Sequence, residues 1–62
     1  MKRRYVVIDL PINSNEDVGK LEDQINAYAN RGFKVESFRP YHSSGGEFSR
    51  PYAAVLMSVE IP

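Results

Sequence analysis

From Tyr5 to Leu10 the chain reads Tyr-Val-Val-Ile-Asp-Leu and is closed by Pro11, a β-branched and aromatic run that predicts a first strand. Alternation places Val6, Ile8 and Leu10 on one face and Tyr5 and Val7 on the other, so both faces carry apolar residues. The next segment changes period. Asn13-Ser14-Asn15 offers side-chain oxygens to the unpaired amides of a helix start, and Glu16 and Asp17 complement its positive end. At 100° per residue Leu21, Ile25, Tyr28 and Ala29 fall in one arc, while Lys20, Asp23, Ala27, Asn30 and Arg31 face away. Glu16 and Lys20 form a favourable i,i+4 pair, Arg31 falls in the last turn, and Gly32 supplies a left-handed stop.

Strict alternation resumes at Phe33, with Phe33 and Val35 on one face and Lys34 and Glu36 on the other, until Phe38 breaks it. This predicts a second strand over 33–41, its pairing ended by Pro40, with Phe38 as an outer apolar residue. The stretch from His42 to Arg50, rich in Ser and Gly, reads as a flexible connection longer than a hairpin requires. The third strand runs from Tyr52 to Ile61. One of its faces carries Ala53, Val55, Met57, Val59 and Ile61, and the other carries Tyr52, Ala54 and Leu56.

The order β-α-β-β limits the topology. A right-handed crossover leaves the first two strands parallel, and the hairpin turns the third antiparallel to its predecessor. The third strand has no charge from Tyr52 to Val59 and belongs in the centre. The expectation is an α+β fold: a single β-α-β-β domain over residues 1–62, with a three-stranded mixed sheet in the order 1-3-2. One helix covers one face. The other face exposes Tyr5, Val7, Phe38, Tyr52 and Leu56, a patch of a kind monomers seldom leave bare, and homo-oligomerisation is expected to complete the fold.

Composition sharpens this picture. Sixty-two residues form one marginal core, and the absence of cysteine removes disulfides as support. Eight Lys and Arg balance eight Asp and Glu, against a general polyanion binder. An apolar share of 42% argues for a globular chain. The longest uncharged apolar stretch is too short to span a bilayer, and the run after Lys2-Arg3-Arg4 lacks the length and cleavage site of a signal peptide, so the expected location is cytoplasmic.

Tyr5-Val6-Val7 near the start, the acidic amphipathic helix, Asn30-Arg31-Gly32-Phe33-Lys34-Val35, Pro40 and the apolar final strand together resemble the short bacterial and phage proteins grouped as domain of unknown function 4177. The resemblance spans nearly the whole chain. Phe33 stands where that family usually has Trp, and the ending Val59-Glu60-Ile61-Pro62 lacks its common basic finish. The resemblance implies a β-α-β-β fold and carries no activity, because the family has no established common function.

The candidate chemistry is sparse. His42 beside Ser43 and Ser44 lacks the patterned partners of a nucleophilic triad and reads as a solvated residue, so no catalytic residue is assigned. One His and no Cys do not make a usual zinc site, and neither metal nor cofactor is expected. The helix acids Glu16, Asp17, Glu22 and Asp23 read as dipole complementation and solubility. Ser43-Ser44-Gly45-Gly46 has no Walker pattern, yet Arg39, His42 and Arg50 flank it with Tyr41, Phe48 and Tyr52. Guanidinium forks suit phosphate and aromatic rings suit a base. The leading expectation is therefore a non-enzymatic homo-oligomeric module that binds a small anionic, nucleotide-like ligand or a protein partner through the 39–52 loop, with Arg39, His42, Ser43, Ser44 and Arg50 as ligand contacts. The alternative is a nucleic-acid accessory protein in which Lys2, Arg3 and Arg4 contact phosphate and exposed aromatics stack on bases.

Overall fold

The computed structural model describes residues 2–45 and 48–62. Strand β1 (Lys2–Pro11) leads into helix α1 (Asn15–Ala29), followed by the hairpin strands β2 (Lys34–Gly45) and β3 (Phe48–Ile61). The sheet order is β1-β3-β2, as the uncharged third strand predicts. One term needs correction: β3 pairs antiparallel with both neighbours, so the sheet is antiparallel rather than mixed. β1 and β2 do run the same way, but β3 lies between them and they share no ladder.

A hydrogen bond just past the end of β1 fixes the ladder. The Ile12 N–H donates to the Pro51 carbonyl at 2.8 Å, one step beyond the Pro11 and Tyr52 pair. Since antiparallel pairs alternate between bonded and unbonded, even-numbered residues of β1 turn their amides to β3, and odd-numbered ones turn theirs outward. The same alternation gives β3 amides to β1 at odd positions and to β2 at even positions. Three prolines then occupy places where no ladder donor is lost. Pro11 and Pro40 have their nitrogens on the outer side of an edge strand, and Pro51 faces β1 just beyond its end. Pro40 therefore does not end the pairing of β2, which continues through Tyr41 opposite Tyr52 and Ser43 opposite Arg50 to Gly45 opposite Phe48. The predicted loop is a two-stranded arm, and Gly46 and Glu47 lie outside the described residues. At about 3.3 Å per residue, the 14 residues of β3 account for the 47 Å long axis of the molecule.

A register shift between Val35 and Ser37 makes Glu36 the extra residue of a β-bulge. Val35 pairs with Met57, whereas beyond the bulge Ser37 pairs with Leu56 and Phe38 with Val55. Cross-strand partners share a face, so the bulge turns Phe38 to the side of the helix. Phe38 was expected on the uncovered face, a reading that assumed unbroken alternation. It stays 54% exposed, as α1 packs chiefly on β1 at the other edge of the sheet.

The helix is capped at both ends by its own sequence. Ser14 Oγ accepts from the Asp17 N–H, and Asp17 Oδ2 accepts from the Asn13 N–H at 2.9 Å. At the other end the Gly32 N–H donates to the Ala29 carbonyl and the Phe33 N–H to the Tyr28 carbonyl, with Gly32 at φ 94° and the Phe33 ring edge-on to Tyr28 at 5.2 Å. This is a Schellman closure with its accompanying apolar contact. Arg31 consequently lies past the last helical turn. Leu21 is buried, Ile25 and Tyr28 are half-buried, and Ala29, assigned to the same arc, is exposed. Together with Ile8, Ala53, Val55 and Met57, Leu21 forms the core among the described residues, flanked by Val6, Leu10, Ile12, Ile25, Tyr28 and Phe33.

Candidate functional site

The face of the sheet away from α1 carries Arg3, Tyr5, Val7 and Asp9 from β1, and Glu60, Ser58, Leu56, Ala54 and Tyr52 from β3. From β2 it carries Lys34, Ser37, Arg39 and Tyr41, with Glu36 of the bulge added. Two polar assemblies stand at its ends, and apolar residues lie between them.

At the end nearest the chain start, Arg3 reaches over β3. Its Nη1 donates to Glu36 Oε1 and to Ser58 Oγ, both at 3.2 Å, and its Nη2 donates to Glu60 Oε1 at 2.8 Å. Ser58 Oγ donates in turn to Glu36 Oε1 and is 1% exposed beneath these side chains. The bulge makes this possible by turning Glu36 toward Ser58 just where Arg3 arrives. The ion pairs remain largely open to water and contribute at most about 1 kcal/mol each, so the cluster ties three strands together more than it stabilises them.

At the opposite end the Tyr41 hydroxyl donates to the Asp9 carboxylate at 2.8 Å. The bond crosses β3 at Ala54, the register partner of Asp9, where a larger side chain would obstruct it. The Tyr41 ring stacks on Tyr52 at 5.4 Å and 17°. The hydrogen bond to Asp9 is the main cause of a raised Tyr41 pKa, with desolvation and the negative charge of Asp9 acting in the same direction.

The expected ligand residues divide between the two sides of the arm. Arg39 pairs with Ala54, and Ser43 with Arg50, on the side of the stacked tyrosines, whereas His42 pairs with Pro51 on the helix side. Ser44 pairs with Ser49. Arg39, His42, Ser43 and Arg50 are all exposed, and the arm holds them as a ribbon rather than gathering them into a cup. Of the expected interface residues, Tyr5, Val7, Leu56 and Tyr52 do share the uncovered face. Tyr5 and Val7 on β1 are 60% and 63% exposed, while Leu56 and Tyr52 on the central strand are half-buried.

The basic N-terminal strand gains company that sequence order conceals. The start of β1, the end of α1 and the start of β2 all lie at one end of the molecule. Arg31 and Lys34 line one open cleft of about 430 Å³ with Arg3 and Glu60, and Arg31 lines another of about 430 Å³ with Arg4 and Tyr5. Of the eight Lys and Arg residues, Arg3, Arg4, Arg31 and Lys34 thus line these two clefts, and Lys2 precedes them at the start of β1. Among the described residues only Arg3 has its charge engaged by acids in this group. Among the described residues no three His, Asp or Glu side chains gather as metal ligands would, and no helix is long and apolar enough to cross a membrane. No protein-family model matches the chain, and no curated protein or solved structure matches it either.

Proposed function

We propose that the chain is a non-enzymatic binding module that works as a homo-oligomer and takes a small anionic, ring-bearing ligand on the β2–β3 arm. The observation that carries this reading is the uncovered apolar surface around Tyr5 and Val7 on a molecule with a small core. Self-association removes that surface from water and adds stability through linkage. On the arm, Arg39 and Arg50 stand on the side of the Tyr41 and Tyr52 stack, combining charge-assisted donors with a ring surface suited to a nucleotide. Native mass spectrometry of freshly purified protein, with sedimentation at micromolar concentration, tests both parts. A dimer or larger species that retains an anionic ligand supports them, and a ligand-free monomer overturns them.

A second reading has its own support: Arg31 and Lys34 join Arg3 and Arg4 along two neighbouring clefts, a basic end suited to the phosphates of single-stranded nucleic acid. Affinity for an oligonucleotide that falls steeply with salt and is lost on Arg31→Glu favours it. Absence of binding at low salt removes it.

A further inference from the structure

The sheet has two free edges, and they differ. Along β2 the bulge at Glu36 breaks the run of outward amides, and Pro40 removes a donor. Both are devices that discourage a further strand from pairing. Along β1 the outward amides of Arg3, Tyr5, Val7 and Asp9 follow one another without bulge or proline until Pro11 ends the series. No side chain among the described residues donates to or accepts from them. The residues at the middle of this edge, Tyr5 and Val7, are also the most exposed large apolar side chains among the described residues.

Charge selects the direction of pairing. β1 begins with Lys2, Arg3 and Arg4 and carries Asp9 as its one acid near the far end, where Asp17 and Lys20 of α1 line a cleft beside Leu10 and Pro11. A parallel neighbour of the same sequence would set three cations against three cations. An antiparallel copy sets the basic end of each strand against the acidic end of the other. The geometry points to a second copy of this chain as the occupant, and we propose that β1 pairs antiparallel with β1 of that copy about a two-fold axis, making one continuous six-stranded sheet.

Register follows from the outward amides, which require odd positions to face odd positions. Setting Tyr5 beside Val7 of the second copy gives two aromatic and β-branched pairs related by symmetry, a favoured cross-strand combination. It also brings Arg3 beside Asp9 and Lys2 beside the uncharged Leu10. Val6 then meets its own copy on the axis. α1 packs on the face of the sheet, chiefly over β1 and with Leu21 in the core with Ile8, Val55 and Met57, and among the described residues it makes no hydrogen bond to the outward amides.

This inference rests on the homo-oligomeric reading, and its test separates the two. A chain of 62 residues is accessible to chemical synthesis, so N-methylvaline can replace Val7, removing one outward donor while keeping the side chain. Val7→Ala does the reverse. Edge pairing requires N-methylation to weaken the dimer about tenfold or more in sedimentation, and more than Val7→Ala does. It also requires the Tyr5 and Val7 amides of the unmodified dimer to be protected from hydrogen exchange and to lose protection on dilution. An oligomer in which those amides exchange freely, or in which Val7→Ala is the more damaging change, overturns the edge and leaves a face-to-face contact. A monomer at all concentrations overturns the edge together with the oligomeric reading.

Discussion

The Tyr41 hydroxyl and the Asp9 carboxylate meet at 2.8 Å across the width of β3, joining the two edge strands over Ala54. Asp9 lies in the apolar run of the first strand and Tyr41 in what reads as the end of the second, so the bond couples the β2–β3 arm to the body of the sheet.

Because this bond holds Tyr41 in its protonated form, the tyrosine pKa is raised from the ordinary 10.0. The folded state binds that proton more tightly than the unfolded state. The resulting stability is complete below pH 10.0 and disappears as pH climbs through the higher folded value. Urea titrations from neutral to strongly alkaline pH should show a steeper alkaline loss for the parent than for Tyr41→Phe. Parallel curves would mean that the bond does not persist in solution.

Two glycines should respond with opposite signs to the same substitution. Gly19 lies inside α1 with open space where a Cβ would stand, so Gly19→Ala should stabilise by about 1 kcal/mol. Gly32 is at φ 94°, and its Cβ would make only ordinary contact with Val59, so the cost of Gly32→Ala is backbone strain of about 1 to 2 kcal/mol. Thermal melts of both variants check the pair.

On α1, Leu21→Ala should cost about 2 to 5 kcal/mol, since Leu21 is buried within the core. Lys20→Ala, one residue away and exposed, should change stability by less than about 0.5 kcal/mol. Equal effects in urea titration would contradict the orientation of the helix.

How far the chain could be read in advance depended on the range of each signal. The caps at Ser14 and Gly32, the buried position of Leu21, the strand order and the apolar faces of β1 and β3 all follow from local periodicity and residue chemistry. Pro40 misled because the absence of an N–H matters only on the side that bonds, and which side that is depends on the register against Ala53. Phe38 misled because the bulge is a relation between two strands, invisible along one. Arg31 and Lys34 join Arg4 only once the helix returns the chain to its starting end. Arg39, Arg50, Tyr41 and Tyr52 do share one side of the arm, but His42 is placed on the other by simple alternation once the loop is seen to be strand.

The bulge at Glu36 also sets the phase of everything that follows it in β2. Val35 pairs with Met57 and Ser37 with Leu56, so Glu36 stands outside the count of pairs, and a chain without it would keep Phe38 opposite Val55 and Tyr41 opposite Tyr52. Drawing Glu36 into the ladder as an ordinary paired residue would instead shift everything beyond it by one place, sending Phe38 to the uncovered face and Arg39 and Tyr41 to the helix side, out of reach of Asp9. Deleting Glu36 should therefore keep the two surfaces of the arm and the bond from Tyr41 to Asp9 while removing the acceptor shared by Arg3 and Ser58, whereas an added residue that takes a place in the ladder should exchange the surfaces.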